Sequence, residues 1–130
     1  MPVILPTKDE IININKGITK SSNSETRIAE GSLNFALDSQ MYDQDDSVDV
    51  VCEAAYRIAR AIACDHTFVD GNKRTATVAV KKLFANNGFT FNGADSNLLD
   101  LVSSLVKEDG DDDDEVKENF IRGLSELFTL

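Results

Sequence analysis

The sequence lacks tryptophan and has only two prolines and two cysteines among its 130 residues. With so few prolines, few positions force a helix to break. A chain of this length predicts one domain, residues 1–130, which buries enough surface to need no metal or disulfide staple. Cys52 and Cys64 lie twelve residues apart on one predicted helix. They cannot meet within that helix, so we expect two buried free thiols.

Basic residues are also scarce, because 13 Lys and Arg stand against 23 Asp and Glu, a formal net charge of −10. Broad nucleic-acid binding needs a basic surface, so we expect no nucleic-acid partner, although a local donor cluster can bind one nucleotide. No apolar run is long enough for a membrane span, and no signal peptide is recognisable. With reduced cysteines, these features predict a cytoplasmic protein that has no membrane partner.

Apolar residues recur at helical spacing through the first half of the chain. Residues Thr7 to Glu10 have the form of a capping box that begins a first helix. The segment 29–41 also has helix-like spacing. Ser47 is the candidate N-cap of the clearest helix, whose small apolar residues recur at intervals of three and four. This spacing predicts a central buried helix.

The second half of the chain continues the helical pattern, with no useful strand signal beyond a brief extended piece at 89–92. A strong helix is predicted from about Asn72 to Asn87, and another from Leu98 to Val106. The acidic run 111–115 lacks the alternating ligands of a Ca²⁺ loop, so we predict an acidic turn that precedes and caps the last helix. The predicted fold class is all-α, a compact bundle of about six helices.

Four residues at the predicted start of the second strong helix suit a phosphate group: Gly71, Asn72, Lys73 and Arg74. A helix N-terminus offers unpaired N–H groups and the positive end of the helix dipole. Gly71 lets a phosphate approach the backbone, and Asn72 adds a side-chain amide. Lys73 and Arg74 add a point charge and a planar fork for phosphate oxygens.

His66 is the only histidine, and it lies at the junction of the two strongest predicted helices, four residues before Asp70. Histidine titrates near neutrality and can take the proton of an attacking hydroxyl. Asp70 is a hard oxygen ligand that suits Mg²⁺ bound to substrate phosphates. Two interpretations stay open on this chemistry alone: a base, metal ligand and phosphate cradle, or a helix cap followed by surface Lys and Arg.

The stretch 66–74 resembles the signature H-x-F-x-[D/E]-G-N-x-R of the Fic/Doc family at every fixed position. The six matched positions are His66, Phe68, Asp70, Gly71, Asn72 and Arg74. The resemblance covers a motif core at residues 47–92 and extends more weakly back to Arg27. It implies the Fic/Doc fold, and Mg²⁺ and ATP as cofactors.

The resemblance also implies a role for each position of the motif. His66 would be the general base that activates a target hydroxyl, and Asp70 would bind Mg²⁺. The residues Gly71–Lys73 would form the anion hole, and Arg74 would hold a terminal phosphate. Phe68 would be a buried anchor that takes no part in the reaction.

Two positions resemble the Doc toxin branch and differ from the adenylyl-transferring members. Those members usually have Gly and a second Arg where this chain has Lys73 and Thr77. Lys73 fills space and adds a charge that suits a more highly charged phosphate. The resemblance therefore implies transfer of the γ-phosphate of ATP to a Ser or Thr hydroxyl of a host protein, with translation elongation factor Tu as the expected target. Adenylyl transfer is the alternative, and Gly71 departs from the founding Doc pattern, which has Ala.

The resemblance to Doc implies a small antitoxin, for which we expect a docking groove between segment 29–41 and the motif helix. Residues Thr26 to Gly31 loosely match Fic inhibitory helices, in which Glu30 would block nucleotide, although an ordinary helix start is the favoured interpretation. Two further functions stay open: a catalytically weak regulatory or binding module, and a helical protein that binds phosphate without chemistry.

Overall fold

The structure is a computed structural model that describes residues 3–20, 30–42, 47–106 and 113–130. These residues form six α-helices: α1 (Lys8–Thr19), α2 (Glu30–Ala36), α3 (Val48–Ala63), α4 (Asn72–Asn86), α5 (Asp95–Ser103) and α6 (Asp113–Leu127). Two short strands, β1 (Thr90–Phe91) and β2 (Phe128–Thr129), pair antiparallel. The prediction of an all-α fold with about six helices is confirmed. None of the described helices combines the length and the apolar character that a membrane span needs.

Helix α3 is the central element that the sequence predicted. Its N-cap Ser47 accepts a hydrogen bond from the Val50 N–H at 3.5 Å. Small buried residues such as Ala54, Ala55 and Ala59 cover much of its surface. Because these side chains are short, neighbouring helices can approach closely, and α3 packs against α2, α4, α5 and α6.

The two cysteines are both free, and they differ in burial. Cys52 is buried on α3, as predicted. Cys64 follows the last turn of α3 and is half-buried, so the prediction of a buried thiol was wrong there; its Sγ donates to the Leu105 carbonyl at 3.3 Å. Burial, and secondarily the charge of Asp49, raises the pKa of Cys52 to about 11. Its thiol therefore stays protonated at neutral pH, which makes it a poor nucleophile.

Helix α1 begins at the predicted capping box. The Thr7 hydroxyl accepts a hydrogen bond from the Glu10 N–H at 3.1 Å, and the Thr7 N–H donates to the Glu10 carboxylate at 2.9 Å. The helix continues to Thr19 and ends where Lys20 takes a left-handed conformation with a φ of 53°. Helix α1 packs on α4, and this contact places its C-terminal half beside the motif.

The segment predicted as one helix over residues 29–41 is divided in two. Helix α2 ends at Ala36, and a 3₁₀ helix follows at Ser39–Met41. The Asp38 carboxylate accepts the Gln40 N–H at 3.0 Å and so caps the second element. The Tyr42 hydroxyl donates to the Ala36 carbonyl and holds the two pieces together. Residue 29 lies outside the described residues.

The last two helices differ from their predicted bounds. Helix α5 ends at Ser103, so Leu105 and Val106 lie beyond it. Helix α6 begins at Asp113, and the end of the acidic run forms its first turn and not a preceding turn. Carboxylates are favourable there because the N-terminus is the positive end of the helix dipole. Residues 107–112 lie outside the described residues.

An aromatic cluster closes the core at the far end of α4. The Phe84 ring stacks on Phe128 with centroids 4.0 Å apart, and Phe89 meets Phe84 edge-on at 5.3 Å. Phe128 belongs to β2, so its pairing with β1 brings the end of the chain onto α4. Strand β1 lies within the predicted extended piece at 89–92, which is confirmed.

Candidate active site

The chain changes direction at His66, between α3 and α4. The N–H groups of Cys64 and Asp65 both bind the Arg60 carbonyl, at 2.8 and 3.3 Å. His66 then takes a left-handed conformation with a φ of 50° and is exposed. A residue with a β-carbon pays about 1–2 kcal/mol for that conformation. Thr67 is buried and donates from Oγ1 to the Ala61 carbonyl at 2.9 Å, which fastens the strained turn to α3.

Asn72 holds the loop in place through two hydrogen bonds. Its Oδ1 accepts the Phe68 N–H at 2.9 Å, and its Nδ2 donates to the Phe68 carbonyl at 2.8 Å. Phe68 is 3% exposed, which confirms the expected buried anchor. These bonds use Oδ1 and one of the two N–H groups of the side-chain amide that we expected to face phosphate. Asn72 also has a backbone N–H that it can offer to an anion.

Gly71 is required by the contact between the loop and α1. Its φ is 73°, and a β-carbon there would lie 2.9 Å from Thr19 Cγ2 and 3.4 Å from Asn15 Nδ2. The missing side chain therefore makes room for α1, whereas the sequence suggested room for a phosphate. The Gly71 N–H donates to the Asp70 carboxylate at 2.8 Å.

The first turn of α4 leaves backbone donors available. The hydrogen bonds of the described residues include no acceptor for the N–H groups of Asn72, Lys73 and Arg74. Intrahelical bonding starts with the Thr75 N–H, which donates to the Gly71 carbonyl at 2.9 Å. Three parallel donors at the positive end of a helix form a site for an anion.

Asn15 is a positioning residue that the sequence did not reveal. It is 2% exposed, and its Nδ2 donates to the Asp70 carbonyl at 2.8 Å and to Thr75 Oγ1 at 3.0 Å. One side chain therefore ties α1 to both the loop and α4. The available signal was a polar residue four positions after Ile11, on the same face of an apolar helix.

The predicted reactive groups lie at the surface of this rigid frame. His66 and Asp70 are exposed on the loop, and Lys73 and Arg74 are exposed on the first turn of α4. Lys73 and Arg74 form no ion pair with any other residue that the structure describes. The sequence-predicted residues thus lie exposed on one loop and on the helix start that follows it.

The donor set fits a magnesium-bound nucleotide better than a bare metal ion. The described residues include no group of three or more metal-ligating side chains. The Asp70 carboxylate is exposed beside the unpaired N–H groups of α4. Mg²⁺ usually binds proteins through one or two carboxylates plus substrate phosphates and water. Asp70 therefore fits this ion once phosphate oxygens complete its coordination.

Two positions that the resemblance raised have other contacts. Glu30 pairs with Lys8 at 3.6 Å, at the start of α1. Thr19, which touches the motif, lies eleven residues further along that helix, about 16 Å away. The structure therefore does not bring Glu30 to Arg74.

Thr77 is buried, and its Oγ1 donates to the Lys73 carbonyl at 2.9 Å.

A cationic cavity of about 460 Å³ lies beside α2, between that helix, α3 and α6. Arg57, Arg60 and Lys117 line it, and Asp65 connects it to the loop that carries His66. We expected a docking groove between segment 29–41 and the motif helix. Helix α2 packs on α3 instead, so the cavity on this side is lined by α3 and α6.

Comparison with known proteins identifies the family. A sequence model of the Fic/DOC family matches residues 6–84. No curated protein and no solved structure matches the chain. The matched region includes α1, the loop with His66 and nearly all of α4, which are the elements that build the site. Because the match covers more than half of its residues, the chain belongs to the Fic/Doc family, whose members are generally protein-modifying transferases that use ATP with a divalent metal.

Proposed function

We propose that this protein is a Doc-like kinase that transfers the γ-phosphate of ATP to a Ser or Thr hydroxyl of another protein in the cytoplasm. The observation that carries the proposal is the loop that bears an exposed His66 and leads into α4, whose first three N–H groups have no acceptor among the described residues. The bonds between Asn72 and Phe68 join this loop to the start of α4. Family membership supports the coarser assignment of a protein-modifying transferase.

The reaction needs a base for one proton and donors for one phosphate. The target hydroxyl oxygen attacks the γ-phosphorus, and His66 takes the hydroxyl proton. The bond from the γ-phosphorus to its bridging oxygen breaks, and ADP leaves with the electron pair. Phosphoryl transfer depends on positioning and charge stabilisation, with little covalent help from the protein.

The start of α4 supplies that stabilisation. The N–H groups of Asn72 and Lys73 donate to phosphate oxygens, and the Lys73 and Arg74 side chains balance their charge. Asp70 would hold Mg²⁺, which neutralises charge on the phosphates when it is bound. Lys73 is exposed at the position where adenylyl-transferring relatives usually have Gly, and this side chain supports γ-transfer over adenylyl transfer.

The test uses ATP labelled separately at the α- and γ-phosphate, with cell lysate and with purified elongation factor Tu. Label from γ alone supports the kinase, and label from α means adenylyl transfer. Label from neither favours a binding module. His66→Asn is the matched variant, because Asn tolerates the left-handed conformation while losing the base. We expect it to lower the transfer rate by about 10²–10⁴-fold without changing the melting temperature.

The cationic cavity is the proposed docking place for an acidic segment of the protein substrate. Glu53 lies 2.8 Å from Lys117 and 3.9 Å from Arg57. Arg60 forms no ion pair with another described residue, so it is the cation left for a partner. Such a local positive charge is notable in a chain of net charge −10. A small antitoxin that covered this cavity would exclude the substrate.

Charge reversal separates this docking from nucleotide binding. Arg60→Glu should slow modification of the protein substrate and leave ATP affinity unchanged. Arg122→Glu on α6 is the control, since that side chain is exposed and does not line the cavity. Equal modification rates for the two variants would place the substrate elsewhere. Growth arrest by the wild type, relieved by a co-expressed antitoxin, would support the toxin assignment.

A further inference from the structure

The end of α3 leaves the Ala61 carbonyl without its usual donor. A regular α-helix pairs each carbonyl with the N–H four positions later, which would be the N–H of Asp65. The Asp65 N–H donates instead to the Arg60 carbonyl at 3.3 Å, and the Cys64 N–H donates to the same carbonyl at 2.8 Å. A buried carbonyl without a donor is unfavourable, so the Ala61 carbonyl needs a partner from outside the helix.

The buried side chain of Thr67 supplies that partner. Its Oγ1 donates to the Ala61 carbonyl at 2.9 Å, six positions back, and Thr67 is 1% exposed. Threonine is β-branched, so few rotamers are open to the hydroxyl and its direction is well defined. The bond closes a short loop that begins at the end of α3 and contains His66. Thr67 occupies a position that the motif H-x-F leaves open, so the motif assigns it no role.

His66 lies between two fastened neighbours and is itself exposed. Before it, the Asp65 N–H is bound to Arg60, and after it, Thr67 is bound to Ala61. Its left-handed φ of 50° is unfavourable for a residue with a β-carbon. Such a conformation persists only where the surrounding structure holds it. An exposed side chain contributes little to that restraint, so the backbone of His66 depends on the neighbours.

We infer that Thr67 is a positioning residue, whose hydroxyl holds His66 in the left-handed conformation from which it acts as the base. This inference rests on the proposed function. The direction of the bond from Cα to Cβ depends on the backbone conformation, so a change of φ at His66 would move the imidazole. A general base must lie within hydrogen-bond reach of the proton that it takes, and small displacements slow the reaction.

The hydrogen bonds on the other side of the loop have a different task. The Asn72 side chain is bound to the backbone of Phe68, and this pair leads into the donors at the start of α4. The Thr67 bond instead connects the loop to α3, on the side where His66 lies. Loss of the Thr67 hydroxyl should therefore displace the base and leave the anion donors of α4 in place. This separation distinguishes positioning of the base from a general loss of structure.

The experiment removes the hydroxyl and then restores it. Thr67→Val keeps the β-branch and loses the donor, whereas Thr67→Ser keeps the donor. We expect Thr67→Val to lower kcat for γ-phosphate transfer about 10- to 100-fold and to leave the KM for ATP unchanged. Affinity for inorganic triphosphate, measured by calorimetry, should also be unchanged. Thr67→Ser should retain most of the wild-type kcat.

Tyr42→Phe is the matched control for the loss of a buried hydroxyl. The Tyr42 hydroxyl also donates to a backbone carbonyl six positions back, that of Ala36, at the end of α2. We expect Tyr42→Phe to lower the melting temperature, as Thr67→Val does, and to keep the wild-type kcat. Equal losses of kcat in Tyr42→Phe and Thr67→Val would overturn the inference, because the loss would then follow stability alone.

Nuclear magnetic resonance tests the conformation of His66 without any substrate. At a positive φ, the amide proton lies closer to the α-proton of its own residue than in the ordinary helical and extended regions. The corresponding cross-peak of His66 should therefore weaken in Thr67→Val and stay strong in Thr67→Ser and Tyr42→Phe. A strong cross-peak together with full kcat in Thr67→Val would overturn the inference.

A second variant protects the test against misfolding. Thr67→Ala also removes the donor, without placing a methyl group against the Ala61 carbonyl. It should show the same loss of kcat and the same weak cross-peak. If Thr67→Val does not fold, wild-type values of both in Thr67→Ala would overturn the inference.

Failure of the proposed function gives a different result. If the wild type transfers label from the α-phosphate, the kinase proposal is wrong, and a selective loss of that transfer in Thr67→Val still supports Thr67 as the residue that positions the base. If the wild type transfers γ-label and Thr67→Val does so at the full rate, the kinase stands and only this inference is wrong. If the wild type transfers no label, both fail.

Discussion

The two ends of α4 are fastened by the same device and surrounded by different chemistry. At the N-terminal end, the Asn72 side chain exchanges two hydrogen bonds with the backbone of Phe68. At the C-terminal end, Asn87 does the same with Ile4: it accepts the Ile4 N–H at 2.8 Å and donates to the Ile4 carbonyl at 3.0 Å. An asparagine amide imitates a peptide group, so it can replace one in pairing with a passing segment.

The two ends of α4 have different surroundings, which are buried aromatic rings at one end and exposed charged side chains at the other. Phe84 and Phe128 stack near the C-terminal end and remove apolar surface from water. The N-terminal end has exposed Lys73 and Arg74, and the strained His66 lies in the loop before it. Strain and unpaired charge persist where the rest of the fold is stable enough to hold them. One end of the helix therefore stabilises the fold, and the other end carries the proposed active site.

The largest expected effect is a loss of stability when the aromatic cluster at the C-terminal end of α4 is disrupted. Phe84→Ala removes a fully buried ring that contacts Phe89 and Phe128, and we expect the free energy of unfolding to fall by about 3–5 kcal/mol. Chemical denaturation measures the change. Ligand affinity at the other end of α4 should be unchanged in the folded fraction. A specific loss of triphosphate binding without loss of stability would contradict the division between the two ends.

The next largest effect is expected at the N-terminal end of α4, where a substitution should lower both the stability and the transfer rate. Asn72→Ala leaves the Phe68 N–H without its acceptor, and we expect a cost of about 1–3 kcal/mol in stability. The transfer rate should fall about 10²-fold, because the loop that carries His66 loses its position. Asn72→Asp separates the two bonds, since its carboxylate still accepts the Phe68 N–H but cannot donate to the Phe68 carbonyl. A full transfer rate in Asn72→Ala would show that the loop is held by other contacts.

Sequence reasoning succeeded at α4 because the signals there are local. The motif fixed the start of the helix, and the Asn-Asn-Gly stop predicted its end, where Gly88 takes a left-handed φ of 86°. The capping box of α1 and the Ser47 cap are equally local and are confirmed. Each of these features depends on residues within one helical turn of each other.

The features that sequence could not supply depend on distant contacts. The break after Ala36 involves a bond from the Tyr42 hydroxyl to that carbonyl, and the helix-like spacing gave no sign of it. Asn15 meets Asp70 across 55 positions of the chain. The motif named Gly71 correctly but suggested phosphate as the reason, whereas the structure shows contact with α1. The catalytic roles themselves stay predictions.

A smaller effect is expected from the second asparagine. Asn87→Ala removes both bonds to Ile4 and the bond from Nδ2 to the Leu83 carbonyl, at a cost of about 1 kcal/mol because the site is partly exposed. The transfer rate should not change. Asn86→Ala is the matched control, one position earlier. Chemical denaturation and labelled transfer, measured on both variants, would decide whether the Asn72 and Asn87 hydrogen bonds differ in their effect on the transfer rate.

The smallest expected effect is a pH dependence of the stability, which comes from an ion pair in the C-terminal half of α4. Lys82 lies 2.8 Å from the Glu10 carboxylate and, with the Thr7 backbone, lowers the pKa of Glu10 below its ordinary 4.5. A carboxyl whose pKa is lower in the folded state stabilises the fold above its unfolded pKa, and this contribution is lost as the pH falls through the folded value. Glu10→Gln keeps a capping oxygen but cannot titrate. Between about pH 7 and about pH 3 the wild type should therefore lose more stability than Glu10→Gln. Parallel curves for the wild type and Glu10→Gln would mean that this ion pair, unlike the Phe84 cluster, contributes nothing to holding α1 on α4.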